Sequence, residues 1–363
     1  MLQKLHDILI VAGGIMATML TACSSEEPLA EEPKGDLFVT IEARSPRAGE
    51  DATSDVHSDL TLQEGIVLIY DEDGVYEGGD RIDPDKRVAS LRIPEGKKRI
   101  VVLANAPKIL RDRVAIDCHT PITDEYGNVK TYKGDTVWSN IKPVYRYYAE
   151  LKSSLSFSDK VLQSVQSSHR MVLIHDNIVN VAADEEDSKT SYVEIPLAPP
   201  MARVDLHARC LPSETSRIAG AAIRVSKAYT KLNWDLSYPN DETTNTVTVE
   251  FSDVSDKMTP VVTENELFSD WILENVKEDS PIASLYTYYT DANAVLEIGL
   301  LFKGSVEYDW YPIEMSELLK PGEYKGLEAG HLYQIFITIY PDKVGHIIVD
   351  PWVVPSNLEF TIG

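Results

Sequence analysis

Apolar residues in this chain recur at every second position, in short runs cut off by turn residues. That spacing suits extended strands and little else. Leu37, Val39, Ile41 and Ala43 alternate with Phe38, Thr40 and Glu42. Val204, Leu206 and Ala208 alternate with Arg203, Asp205, His207 and Arg209, and Val247, Val249 and Phe251 with Thr246, Thr248 and Glu250. Tyr333, Ile335, Ile337 and Ile339 share the face of a late strand. Continuous apolar runs at 66–70, 100–104 and 295–302 read as buried strands, the first two closed by Asp71-Glu72-Asp73-Gly74 and Asn105-Ala106-Pro107. Residues 108–170 are less regular and predict an insertion with helical turns within 145–165. A length of 363 residues suits two domains. Alternating residues 192–197 run into Ala198-Pro199-Pro200, and the boundary is placed there, giving segments 48–196 and 197–363. The expectation is an all-β protein of two tandem β-sandwiches with minor helical insertions and no repeat of fixed period.

The first residues read as an address. Lys4 precedes an apolar run over 8–20, too short to span a bilayer but suited to a signal peptide. Leu20-Thr21-Ala22-Cys23 closely resembles a bacterial lipobox, which makes 1–22 a signal peptide and Cys23 the lipidated residue. Residues 23–47 then hold an acidic, Pro-containing tether and the first strand. The tether resembles an acidic surface-export signal and reads equally as a solvated spacer. The formal net charge of −24 excludes nucleic acid, whose phosphates select basic surfaces. It also opposes anionic lipid, so attachment to a membrane needs the lipid anchor.

No arrangement of residues supports catalysis, a metal or a cofactor. Asp71-Glu72-Asp73-Gly74 opens like a calcium loop, but Val75 and Tyr76 stand where an oxygen ligand and glycine are needed, so a hairpin turn is expected. Asp117-Cys118-His119 sets a thiol beside an imidazole, yet strand neighbours point to opposite faces. His169 and His175 have no ligand cluster around them. Cys118 and Cys210 are either a disulfide or two buried thiols.

Two segments carry the functional reading. Arg47-Ala48 lies in an exposed Pro/Gly/charge stretch after the first strand, a good protease target, with Arg44-Ser45 as the second choice. At the C-terminus, Trp352, Val354, Leu358, Phe360 and Ile362 share one parity, interrupted only by Ser356. Such a strand completes its own sandwich or enters a groove in a neighbouring subunit by β-strand addition.

Several stretches together resemble the fimbrillin family of Bacteroidales fimbriae (type V pilus subunits). Arg47-Ala48 resembles its processing site, and residues 66–74 its "I-x-x-L-x-V-x-V-F-D-x-D-G". Residues 101–107 resemble "V-A-N-A-P", 195–206 "L-x-R-x-V-A-R-V-x-L" with Pro199 in place of a common Arg, and 285–289 "F-Y-T-Y-E". Residues 327–335 resemble "L-x-A-N-H-x-Y-x-I" with Gly330 for Asn, and Pro351-Trp352 the late Pro-Trp. The resemblance implies transthyretin-like, Greek-key sandwiches in an outer-membrane lipoprotein displayed at the cell surface. A trypsin-like protease removes the first strand after Arg47, and the C-terminal strand of another subunit, Trp352, Val354, Leu358, Phe360 and Ile362, fills the groove. The implied partners are other fimbrial subunits (shaft, anchor and tip), that protease, the outer membrane and host or bacterial surface ligands. Asp135-Thr136-Val137 resembles the O-glycosylation sequence of these bacteria, on Thr136. The implied role is a polymerising subunit supporting adhesion. An anchor, a tip subunit, or a monomeric surface lipoprotein that binds glycan or protein through Tyr145, Tyr147 and Tyr148 are the alternatives.

Overall fold

A computed structural model describes residues 36–45, 59–121, 131–132, 135–136, 138–184, 189–210, 217–237, 244–260, 281–313, 326–339 and 344–353. Strand β1 (Asp36–Arg44) covers the first alternating run. β2 (Gly65–Tyr70) and β3 (Tyr76–Ile82) form a hairpin around 71–74. Asp71 Oδ1 accepts the Val75 N–H at 2.7 Å, and Gly74 takes a left-handed φ of 76°, so the DEDG stretch is the expected turn. β4 (Val88–Pro94) and β5 (Gly96–Ala104) follow.

The insertion holds α1 (Lys108–Val114), β6 (Ala115–Pro121), β7 (Thr131–Tyr132), β8 (Asp135–Thr136), β9 (Trp138–Pro143), α2 (Tyr148–Ser154), β10 (Ser156–Phe157) and α3 (Asp159–Ser168). Helix α3 buries Val161, Leu162 and Val165, one stripe at helical spacing, and stops where His169 turns left-handed at φ 52°. β11 (Leu173–Val181) and β12 (Thr190–Pro196) close the first unit. Its two main sheets run β12-β1-β4 and β11-β5-β2-β3 over a shared core.

The second unit contains β13 (Ala202–Cys210), β14 (Ile218–Ala228), β16 (Asn245–Ser252), β17 (Thr259–Pro260), β18 (Ala283–Thr287), β19 (Leu296–Phe302), β20 (Asp309–Ile313), β21 (His331–Ile339) and β22 (Val344–Val353), whereas β15 (Leu232–Asn233) pairs with β10 and packs in the first core. One sheet runs β17-β13-β21-β22, with β18 also on β13, and the other runs β16-β14-β19-β20. They enclose a second core that includes Val204, Leu206, Ile223, Ile298 and Ile335. The fold is all-β.

β13 departs from simple alternation. Its apolar parity faces the second core as expected, but Arg203, Asp205, His207 and Arg209 on the other parity are buried too. β18 and β17 flank β13 on one side and β21 on the other, so it lies inside its sheet. Cys210 at its end is a buried thiol, its Sγ 3.7 Å from the Sδ of Met258.

Candidate functional site

β1 lies between two strands that do not pair with each other. It runs parallel to β12, from Phe38 opposite Thr190 to Arg44 opposite Pro196. It runs antiparallel to β4, from Asp36 opposite Pro94 to Glu42 opposite Val88. Leu37, Val39, Ile41 and Ala43 point inward and are at most 2% exposed. Phe38, Thr40 and Glu42 face outward and are half-buried. Backbone bonds tie both ends, Phe38 N–H to the Lys189 carbonyl (2.8 Å) and Leu197 N–H to the Arg44 carbonyl (2.9 Å). The Arg44 guanidinium pairs with Glu194 and lies 3.5 Å from Glu42. Burying these inward side chains contributes about 5–8 kcal/mol before ordering costs. Removing β1 would bare that apolar floor and two unpaired strand edges at once, which is a ready template for another strand.

A second constellation joins the two sandwiches. Arg203 on β13 donates Nη1–H to Asp59 Oδ2 at 2.5 Å and Nε–H to Asp205 Oδ1 at 2.7 Å. Ser284 on β18 donates to the same Asp205 oxygen at 2.7 Å, and the Tyr286 hydroxyl donates to Asp59. All five residues are buried. Burial opposes the Arg203 charge, but the Asp205 and Asp59 carboxylates outweigh it and hold its pKa above the ordinary value. Burial pushes the Tyr286 phenol up; Arg203 opposes the rise and Asp59 adds to it.

The flank of β18 away from β13 is closed by α3. The Gln166 side-chain amide donates to the Ser284 carbonyl at 2.7 Å and accepts the Tyr286 N–H at 3.0 Å, copying the bonds of a neighbouring strand. A 490 Å³ cavity lies over this joint, lined by groups that include Asp59, His169, Arg203, Phe251, Lys257 and Ser284.

The sequence-predicted residues divide unevenly. Cys23, Arg47, Ala48, Val354, Leu358, Phe360 and Ile362 lie outside the described residues. Trp352 belongs to β22, which begins at Val344 and pairs antiparallel with β21, Trp352 standing opposite Leu332. Thr136 lies on β8 opposite Thr131. The three tyrosines do not form one exposed platform. Tyr145 and Tyr148 pack against the first core, Tyr148 donates to Asp176 Oδ2 at 2.6 Å, and Tyr147 alone is exposed. Asp176 also receives Arg99 and Trp234, both at 2.7 Å, which makes it the centre of a structural network. Among the described residues no cluster of His, Cys, Asp and Glu is arranged to hold a metal. No described helix is long and apolar enough to cross a membrane. The joint residues Asp59, Gln166, Arg203, Ser284 and Tyr286 were not legible in the sequence, since a charged parity on a strand reads as a solvent face.

Two tandem sandwiches, with an inward first strand held between two strands that do not pair with each other, define an all-β protein. The family model for the fimbrillin-A associated anchor proteins Mfa1 and Mfa2 matches residues 31–357, and the chain belongs to that family of fimbrial proteins. Solved structures similar to it include a candidate cell adhesion protein from Parabacteroides distasonis ATCC 8503, at 12% identity and TM-score 0.46 over 88% of this chain and 97% of that one. The tip fimbrial protein Mfa3 from Porphyromonas gingivalis, with C-terminal truncation, aligns at 11% identity and TM-score 0.39 over 88% and 99%. A fimbrial assembly protein from Parabacteroides distasonis ATCC 8503 aligns at 11% and 0.38 over 87% and 100%. No curated protein matches the chain in sequence.

Proposed function

We propose that the chain is a cell-surface lipoprotein subunit of a fimbria in which β1 is a removable plug and the C-terminal strand of another subunit takes its place. The position of β1 between β12 and β4 carries this reading. Arg47-Ala48 follows the end of β1 at Arg44, so a cut there releases the strand whole. Arg44 is a poorer target, because its guanidinium is engaged by Glu194 and its carbonyl by Leu197. On this reading Cys23 carries the lipid after removal of 1–22, and the protein is held at the outer membrane until a trypsin-like protease acts. The sandwiches divide at 196/197, Thr136 is the candidate glycosylation site, and adhesion follows from the polymer. The role is structural and involves no cofactor.

The family description favours one second reading, an anchor that keeps both its lipid and β1. The two separate in one experiment. The chain without residues 1–22 is treated with a limiting trypsin-like protease while mass and oligomer size are followed together. Loss of the segment ending at Arg47, with ladders of regular mass, is expected, and Arg47→Ala should abolish both. A stable monomer after clean cleavage, or resistance at this bond, would assign the chain as an anchor or a monomeric surface protein.

A further inference from the structure

The cavity over the joint is built from both sandwiches. Gln63, His169 and Arg170 reach it from the first unit, and Phe251, Lys257 and Ser284 from the second. Its volume of 490 Å³ lies in the range of small-ligand sites, which favour the boundaries between domains. Two local turns bring cations to it. Helix α3 ends where His169 turns left-handed at φ 52°, and Arg170 leaves the helix at that reversal. His169 is itself held in place, with Nδ1 3.4 Å from the Tyr286 hydroxyl and its ring edge-on to that phenol. Lys257 ends the short 3-10 turn Ser255–Lys257, which follows β16.

Arg170 and Lys257 are exposed, and among the described residues neither side chain has an ion-pair or hydrogen-bond partner. Carboxylates are not scarce, since the chain has 58 acidic side chains against 34 basic ones. Yet Asp59 is the only carboxylate among the described residues that line the cavity, and Arg203 and Tyr286 already engage it. Arg203 lines the cavity too, although its side chain is only 3% exposed. Three of its five N–H groups point to Asp59, Asp205 and Ser284, the last at 3.4 Å, which leaves two for a ligand. Arg170, Lys257 and Arg203 outnumber Asp59 and Asp205 by one formal charge, with histidine counted as neutral. A single carboxylate balances that excess, whereas a phosphate dianion overshoots it.

The rest of the lining suits the body of a sugar. The Gln63 side-chain amide is half-buried and makes no hydrogen bond among the described residues, so it can both donate to and accept from neighbouring hydroxyls. Phe251 on β16 packs against the second core and leaves part of its ring to the cavity, an apolar wall for the C–H face of a pyranose.

We propose that this cavity binds an acidic monosaccharide unit, a uronate or a sialate, with its carboxylate between Arg170 and Lys257 and its hydroxyls at Gln63 and Arg203. The ligand bridges the two sandwiches, because its charged contacts come one from each. The site is independent of strand replacement at β1 and draws on none of the same residues.

Calorimetric titration tests it, using the chain without residues 1–22. The probes are glucuronate, galacturonate and N-acetylneuraminate, with glucose, galactose, acetate and inorganic phosphate as controls. At least one acidic sugar should bind about tenfold or more tighter than every control, and added salt should weaken it. R170A/K257A should lose about tenfold or more of that affinity, the loss that follows from removing charge-assisted hydrogen bonds. Both substituted residues are exposed and without partners, so the variant should keep the wild-type urea midpoint. Q63A should weaken the sugar and leave any binding of acetate unchanged. Binding of none of the three acidic sugars would overturn the proposal. Equal binding of acetate or phosphate would reduce the site to a simple anion site, and equal binding of the neutral sugars would remove the role of the carboxylate; either overturns it. Wild-type affinity in R170A/K257A would place the ligand elsewhere and overturn it as well.

Discussion

Replacing Arg203 by methionine tests whether the joint between the sandwiches is held by its buried charges. In the native joint one guanidinium serves two carboxylates, Asp59 Oδ2 at 2.5 Å and Asp205 Oδ1 at 2.7 Å, and all three groups are almost fully excluded from water. Methionine keeps much of the volume and removes the charge. Two carboxylates then remain buried, with Ser284 and Tyr286 as their donors. Breaking a buried pair from one side costs about 3–5 kcal/mol, because the surviving charge has no partner and no solvent. The loss should therefore approach 4 kcal/mol, a large part of the stability of an ordinary domain. Urea unfolding at pH 7 measures it. Trp234 reports on the first core and Trp310 on the outer face of β20. If the joint couples the two units, R203M should lower the midpoints for both reporters and separate them. Neutralising the carboxylates as well, in R203M/D59N/D205N, should recover most of the loss, since removing an entire buried ionic set is often nearly neutral. An R203M midpoint equivalent to less than about 1 kcal/mol of loss, or a triple variant no better than the single one, would refute the argument.

Two smaller perturbations test other parts of the fold. His175 donates its Nδ1–H to the Pro196 carbonyl at 3.1 Å, and burial holds its pKa below the ordinary 6.5, with that carbonyl and Asp176 opposing the shift. The unfolded chain therefore binds a proton that the folded chain refuses. Stability from this residue is complete above about pH 6.5 and is lost as pH falls from there toward the folded value. Denaturation midpoints between pH 8 and 5 should fall more steeply for the wild type than for H175Q, and equal slopes would count against the assignment. Gly326 sits at φ 109°, where an added Cβ would come within 2.4 Å of the Thr290 carbonyl oxygen. G326A should lose about 2 kcal/mol or more from backbone strain and the displaced turn, read as a lower melting temperature.

The strands were legible because a half-buried strand writes its period into the sequence. Residues 37–43 predicted β1, 66–70 β2, 100–104 β5 and 295–302 β19, each within a few residues of its ends. The turn at 71–74 was legible as well, since a glycine after acidic residues has a local reason to reverse the chain. β22 was not: Val344 begins a strand in which Asp350 and Pro351 interrupt the pattern, and its pairing with β21 is a long-range choice. The joint was hidden for a related reason. Arg203, Asp205, His207 and Arg209 follow the same alternation whether their face meets water or protein, and only the arrival of Asp59 from one side and β18 from the other buries the first two in a shared network.

The sequence by itself determined the class of fold, many of the extended segments and the inward parity of the first strand, because all of these depend on spacing along the chain. The tertiary structure set β1 between two strands that do not otherwise pair. Which strands become neighbours depends on packing between residues far apart in sequence, and no local pattern contains that information.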